Sequence, residues 1–399
     1  MATGRNSGNR RNKDYYNEDE YEERGRERSS RHGNGSRNGA TSDARRKQAA
    51  AKKKDAKKRK KIIFFIIEII VLLIMLGVLW LVTRGERVGK VNINEEDIVI
   101  NDQVAANEEM NGYRNIALFG VDSTTGALTK NTRSDTIMIA SVNQDTGDIK
   151  LVSVYRDSYM NLGNDSYNKC NAAYAKGGPE QAMNMLNMNM DLDITDFVTV
   201  GFEGLSNVID ALGGVEIDVD DAEISHLNNY QYTMAEDLKR SYTEVTKTGK
   251  QTLNGLQATA YCRIRYTAGD DFMRAFRQRE VLQAVMSKAK NADAATLTKI
   301  ANEVFDDNVV YTSLDLSEIL GLLKDITKYS VAGDEGFPQE SMRATGTVGA
   351  KGSCVIPISL ESNVEWLHQF LFDDQSYEAS SDVKSYSQKV ESDTASYVK

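Results

Sequence analysis

Histidine and cysteine are almost missing from this chain, with 3 of each in 399 residues. Beyond residue 84 only His226 and His368 remain, and neither sits among residues that suggest a site. A histidine-built zinc centre and a Ser-His-Asp triad are therefore not expected. Cys170, Cys262 and Cys354 are too few and too scattered for a disulfide framework. The opening stretch "MATGRNSGNRRNKDYYNEDEYEERGRERSS" has few aliphatic residues and is rich in Gly, Asn, Arg and Glu. Such a segment cannot bury enough apolar surface to offset chain entropy, so residues 1–61 read as a disordered basic tail. No internal repeat is visible.

Charge is abundant but unevenly placed. Residues 1–61 hold 20 Lys and Arg against 9 Asp and Glu, whereas the rest holds 29 against 49. That asymmetry predicts two environments. The basic block "KKKDAKKRKK" is followed at once by a 21-residue run, Ile62–Val82, whose one ionisable residue is Glu68. A helix of that length spans roughly 30 Å, the hydrocarbon thickness of a bilayer. A transmembrane helix at 62–84 with a cytoplasmic N-terminus follows from the positive-inside rule. The run is too long for a signal-peptide core and no small-residue cleavage pattern follows it, so the span is expected to remain as an anchor. The remainder is then extracellular, at the cell membrane. Anionic lipid headgroups explain the basic block better than nucleic acid does.

Residues 85–112 read as an acidic, polar linker, 113–373 as the globular domain and 374–399, rich in serine, as a flexible tail. "NIALFGV", "TIMIASVN" and "IKLVSV" are three successive strands, the last two joined by a turn at "QDTGD". "FVTVGF" and "VEIDV" are further strands, and 270–290, 292–305 and 314–329 are amphipathic helices. The class is α/β or α+β. Met183, Leu186 and Met190 share one helical face, which suits core packing better than a groove.

If the first three strands form a meander, Asp122 ends the first, Asp135 precedes the second, and Arg156 with Asp157 follows the third. All four then meet at one rim. Two carboxylates completed by water and phosphate oxygens are how Mg2+ is usually held, although Asp122 and Asp135 would serve equally as turn caps. The segment "RIRYTAGDDFMRAFRQRE" gathers five arginines in an acidic chain. Arg263 and Arg265 share a face if "YCRIRY" is extended. On the following helix, with Asp270 or Asp271 as its cap, Asp271, Arg274 and Gln278 occupy one side. Phe272 and Phe276 are expected to pack inward. Arg277 and Arg279 are expected in surface ion pairs, while Arg263, Arg265 and Arg274 suit an anion such as phosphate.

The motifs "NIALFGVDS", "RSDTIMIASVN", "LVSVYRDS", "KCNAAYAKGGPEQAM", "GFEGLSNVIDALGGVEIDV" and "LNGLQATAYCRIRYTAGDDFMRAFRQREVL" resemble, in order and spacing, the LytR–CpsA–Psr family over residues 115–290. Two positions depart from it. Tyr155 stands where the family usually has proline, and Thr124 and Thr125 stand where many members have arginine. The resemblance implies a central, mainly antiparallel or mixed sheet flanked by helices. It also implies a phosphotransferase that moves a glycopolymer, teichoic acid or a capsular or wall polysaccharide, from polyprenyl pyrophosphate onto peptidoglycan. Asp122 and Asp135 would hold Mg2+ (or Mn2+). Arg156, Arg263, Arg265, Arg274 and Gln278 would bind the pyrophosphate, and the lipid tail would enter an apolar tunnel, to which the Met-rich helical face would contribute. Asp157 or Asp122 would be the base, a choice the sequence leaves open. The same cluster would also serve a lipid-phosphate or wall-polymer receptor without turnover, or a hydrolase that releases the polymer to water.

Overall fold

Alternation in Tyr113–Val121 makes a strand with two unlike faces, and the rest of the architecture is built on both. The computed structural model describes residues 89–90, 93–122, 128–129, 131–304 and 310–398. The expected tail at 1–61, the expected span at 62–84, and Thr124 and Thr125 lie outside the described residues. Among these no helix is long and apolar enough to cross a membrane.

The strands, in chain order, are β1 (Gly89–Lys90), β2 (Tyr113–Val121), β3 (Ser134–Asn143), β4 (Asp148–Val154), β5 (Tyr159–Asn161), β6 (Tyr167–Lys169) and β7 (Asp196–Val200). They continue with β8 (Val215–Val219), β9 (Gly249–Leu253), β10 (Val310–Thr312), β11 (Ser330–Phe337), β12 (Arg343–Thr347) and β13 (Ser353–Pro357). The principal helices are α1 (Asn171–Met190), α2 (Phe202–Ala211), α3 (Asp221–Asp237), α4 (Gly255–Tyr261), α5 (Asp270–Lys290), α6 (Ala294–Val304), α7 (Leu316–Lys324), α8 (Leu360–Phe372) and α9 (Ser381–Thr394).

Seven strands form one sheet in the order β1-β10-β7-β2-β3-β4-β11. β2, β3 and β4 are the expected antiparallel meander. The joins of β2 to β7 and of β4 to β11 are parallel, so the sheet is mixed. The remaining strands form three hairpins, β5-β6, β8-β9 and β12-β13.

Because side chains alternate along a strand, the two sheet faces build separate layers. One face (Phe119, Ile137, Ile139, Val152) packs against Met183, Leu186 and Met190 of α1 and Leu360, Val364 and Leu367 of α8. The α1 methionines are therefore core. The opposite face (Leu118, Met138, Ala140, Leu151) looks toward Leu282 and Met286 of α5. Close to α5, the β8-β9 hairpin contributes to a core of its own with Ile209, Leu227, Ile264 and Val281.

Two boundaries differ from the sequence reading. Ile98, Val104 and Met110, expected in the linker, are buried in the main core, because a polar segment with a few spaced apolar residues still packs once a surface is supplied. The segment expected as a flexible tail carries α9, with Val383 and Val390 fully buried. The Ser387 hydroxyl accepts from Leu360 N and Glu361 N at 3.0 and 3.2 Å, capping α8. Serine here supplies caps and crossings rather than disorder.

At this C-terminal junction His368 is fully buried, stacked on Tyr377 with ring centroids 3.5 Å apart. Its Nε2–H donates to Met190 O at 3.1 Å, and Nδ1 has no hydrogen-bond partner among the described residues. Burial holds its pKa down to about 4 from an ordinary 6.5. A base with a depressed folded pKa binds fewer protons in the native state. Its stabilising effect is complete above about pH 6.5 and is lost as pH falls toward 4, a change of about 3 kcal/mol. The wild type is therefore expected to lose more stability than His368→Phe between pH 6.5 and 4 in urea titrations. Equal losses would show that His368 takes up its proton as readily in the folded protein as in the unfolded chain.

Candidate active site

The rim formed where β2 ends, β3 begins and β4 ends carries the predicted acids, and the pairing explains how. Gly120 pairs with Thr136, and Val121 pairs with Ser134. Asp135 is thus the extra residue of a bulge inside β3, rather than a residue preceding the strand. A bulge re-aims its side chain, and here it turns Asp135 toward three guanidiniums. Arg156 Nη1 donates to Asp135 Oδ1 at 2.7 Å, with Arg265 Nη2 and Arg274 Nη1 at 3.5 and 3.7 Å from Oδ2. Arg274 Nη2 also donates to the Asp135 carbonyl at 2.9 Å.

A second carboxylate closes the cluster. Asp271 approaches Arg156, Arg265 and Arg274 at 3.3, 3.4 and 3.5 Å. Asp271, Arg274 and Gln278 do share one side of α5, as their spacing requires. Burial opposes ionisation of Asp271, yet the charges of Arg274, Arg156 and Arg265 hold its pKa below the usual value. Burial also disfavours the Arg156 cation, and the charges of Asp135 and Asp271 more than offset this, leaving its pKa raised. Arg274, only 5% exposed, is pushed down to about 10 by burial and then by the like charge of Arg156.

Arg263 is different. Its guanidinium lies over the rings of Phe202 and Tyr230, at 4.4 and 5.2 Å from their centroids, and forms no ion pair among the described residues. "YCRIRY" is not a strand. It is the end of α4 followed by turns, with Arg263 N and Ile264 N donating to Ala260 O and Tyr261 O. Buried Ile264 separates the two arginines, and both still line the same cavity. The entry to α5 also departs from expectation. Gly269, in the left-handed region at φ 94°, is the N-cap, and no side chain caps the helix. Asp271 is instead committed to the arginines.

Arg277 and Arg279 form ion pairs as expected, but inside the protein. Arg277, 2% exposed, donates through Nε to Glu223 Oε1 at 2.7 Å, and through its other nitrogens to Ile264 O and Thr267 Oγ1. Glu223 in turn accepts from Asp220 N, capping α3. Arg279 Nε donates to Asp334 Oδ1 at 2.6 Å. Phe272 packs against Tyr155, whereas Phe276 is 44% exposed, contrary to expectation. Their spacing puts both on one side of α5, but the Phe276 ring meets the Arg279 guanidinium, 5.9 Å from its centroid. Tyr155 itself is buried. Its hydroxyl accepts from Arg343 Nη1 at 3.0 Å, and Arg343 also stacks on Phe272.

Between the sheet and α5 lies a cavity of about 710 Å³. Its body is apolar, formed by Leu118, Met138, Val198, Leu205, Leu282 and Val285. Asp122, Asp135, Arg156, Arg263, Arg265, Arg274 and Gln278 also line it. Gln278 Nε2 donates to Cys262 O at 3.4 Å. The α1 methionines lie on the other face of the sheet and do not contribute. Arg133, exposed in the loop before β3, also lines the cavity and was missed by the sequence reading. Its place directly before the Ser134-Asp135 pair was the available signal. Asp157 does not line this cavity. It occupies a small cleft behind Arg156, 3.3 Å from Lys169 Nζ and 4.0 Å from Arg156 Nε.

The donor set at the rim is all oxygen. Among the described residues no three His, Cys, Asp or Glu side chains form a metal-ligating group. Asp122, exposed, and Asp135 both line the cavity, and carboxylate oxygens are the donors a hard cation takes when its other ligands are water and phosphate.

The sequence profile of the LytR_cpsA_psr family matches residues 82–349. A polyisoprenyl-teichoic acid–peptidoglycan teichoic acid transferase TagU from Oceanobacillus iheyensis is 33% identical over 218 residues, 52% of this chain and 61% of the relative. The transferase of the same description, TagV, from Bacillus subtilis is 30% identical over 195 residues, 48% of this chain and 47% of the relative. The chain thus spans about half to three fifths of the length of these curated relatives. Protein gbs0355 from Streptococcus agalactiae superposes with a TM-score of 0.56 at 25% identity, covering 69% of this chain and 93% of that one.

Proposed function

The chain belongs to the LytR_cpsA_psr family, and from that premise we propose that it transfers a glycopolymer from polyprenyl pyrophosphate onto peptidoglycan. The observation that carries this reading is the cavity itself, an apolar body joined to a cluster of arginines and aspartates. A ligand that is part hydrocarbon and part polyphosphate matches both ends. The names of the relatives point to teichoic acid as the glycopolymer, and a capsular or wall polysaccharide suits the same chemistry. Anchoring by residues 62–84, with the enzyme domain outside the membrane, belongs to the same proposal.

The residues divide the work. Arg263, free of any carboxylate among the described residues, meets the phosphate oxygens directly. Arg156 and Arg265 are poised by Asp135 and Asp271 and share their forks with the substrate. Arg274 and Gln278 complete the binding side from α5. Asp122 and Asp135 would hold Mg2+, or Mn2+, which when bound neutralises charge on the transferring phosphate. Attack of an acceptor hydroxyl on the sugar-linked phosphorus makes a phosphodiester and breaks the phosphoanhydride bond, releasing prenyl phosphate; this asks chiefly for positioning and charge neutralisation, and little of a base. No histidine is needed. Asp157 is better placed to steady Arg156 than to take the proton.

The test is incubation of the full chain with a short prenyl pyrophosphate-linked donor, a glycan acceptor and Mg2+. Product joined to the acceptor is expected. Donor bound but unchanged would indicate a receptor, and product formed without acceptor a hydrolase. Arg263→Ala is expected to reduce transfer about a hundredfold, as for loss of one donor to developing charge. Its effect on stability should stay within about 1 kcal/mol, since it gives up only ring contacts. An undiminished rate would remove Arg263 from the site.

A further inference from the structure

The loop between α4 and α5 carries one aromatic residue that phosphate binding does not use. Tyr266 directly follows Arg265 and is 71% exposed, more than any other large hydrophobic side chain among the described residues. A single exposed ring on a loose loop would need no explanation. This loop, however, is clamped on both sides of the ring, because Arg277 holds Ile264 O and Thr267 Oγ1. The ring also has a partner. It lies against His226 of α3, with centroids 6.1 Å apart and planes at 42°. His226 and Tyr230, four residues apart, share one face of α3. Tyr230 lines the cavity under Arg263. Tyr230, His226 and Tyr266 therefore form a row of rings running from the cavity out across the rim.

We propose that Tyr266, backed by His226, is the platform on which a sugar ring of the glycan acceptor stacks. A pyranose has a flat face of C–H groups and a periphery of hydroxyls, so it binds to a solvent-facing aromatic without any charge pairing. The donor's own sugar is tied to the pyrophosphate and stays within reach of the arginines. A separately arriving chain must be captured outside that cluster yet close enough to bring a hydroxyl to phosphorus. Tyr266, adjacent to Arg265, satisfies both conditions. This assignment rests on the transferase reading above, but its test can fail independently.

The full chain is assayed with a prenyl pyrophosphate-linked donor and a short N-acetylhexosamine oligomer as acceptor. Tyr266→Ala is expected to raise the acceptor KM about tenfold, near the upper end for loss of an aromatic contact. Tyr266→Phe should restore it, since the ring and not the hydroxyl makes the contact. An acceptor KM within twofold of wild type for Tyr266→Ala overturns the proposal, and so does a shift confined to the donor KM. Broadening of the oligomer's proton NMR signals on adding protein, without donor, is read in parallel. It should occur with wild type and Tyr266→Phe and be lost with Tyr266→Ala. Broadening retained by Tyr266→Ala, or absent with wild type, overturns the platform even if nothing is transferred. Absence of transfer by wild type counts instead against the transferase reading.

Discussion

Arg274→Ala is expected to reduce glycopolymer transfer about a thousandfold, the upper end of what one preorganised donor contributes. Its guanidinium does two things at once. It approaches Asp135 Oδ2 and Asp271 Oδ1, and it donates to the Asp135 carbonyl at 2.9 Å. The second contact pins the bulge that aims Asp135 at Arg156. Loss of Arg274 therefore removes one cation from the proposed pyrophosphate site and frees the backbone that sets another. Lysine is a poor substitute, because a compact ammonium on a flexible stem cannot reach two carboxylates and a carbonyl in one plane. Arg274→Lys should recover less than a tenth of the rate. Single-turnover transfer from labelled donor checks both variants, and a rate near wild type for Arg274→Ala would dissolve the proposed cluster.

Arg277→Ala should have the largest effect on stability, about 3–5 kcal/mol, because it leaves Glu223 charged and buried without its partner. Urea unfolding is the measurement. The same substitution also releases Ile264 O and Thr267 Oγ1, so the loop that presents Arg263, Arg265 and Tyr266 loses its clamp. Transfer is therefore expected to fall although Arg277 does not border the cavity. A double variant separates the two effects. Arg277→Met with Glu223→Leu removes the pair as a unit, which is often neutral or stabilising in a core, less about 1 kcal/mol for the lost cap of α3. Stability should largely return while transfer stays low. Recovery of both would show that the loop holds its shape without Arg277.

Much of the scaffold was legible in local pattern. Short apolar runs at 115–121, 136–143 and 149–154, bounded by polar residues, specified three strands that the structure extends by one or two residues, and the short "QDTGD" turn made two of them antiparallel neighbours. That topology brought Asp122, Asp135 and Arg156 to one end before any contact was seen. Helix 270–290 and its Asp271–Arg274–Gln278 side followed from a period of 3.6 alone.

What the sequence by itself determined, then, was which residues share a strand end or a helix side, because backbone geometry imposes those periods on any chain. Tertiary structure decided everything that depends on a distant partner. The bulge at Asp135 exists because β2 and β3 fall out of step at Gly120. Arg263 and Arg265 reach one cavity from a turn because Ile264 is drawn into the core between them. Arg277, which reads as a surface charge, is buried because Glu223, fifty-four positions earlier, is buried with it. Residues 381–394 are helical and packed because β13, α1 and α8 supply the surface that a serine-rich segment lacks by itself. A buried charge or a weak helix becomes favourable only when its counterpart arrives, and that counterpart is outside any local window.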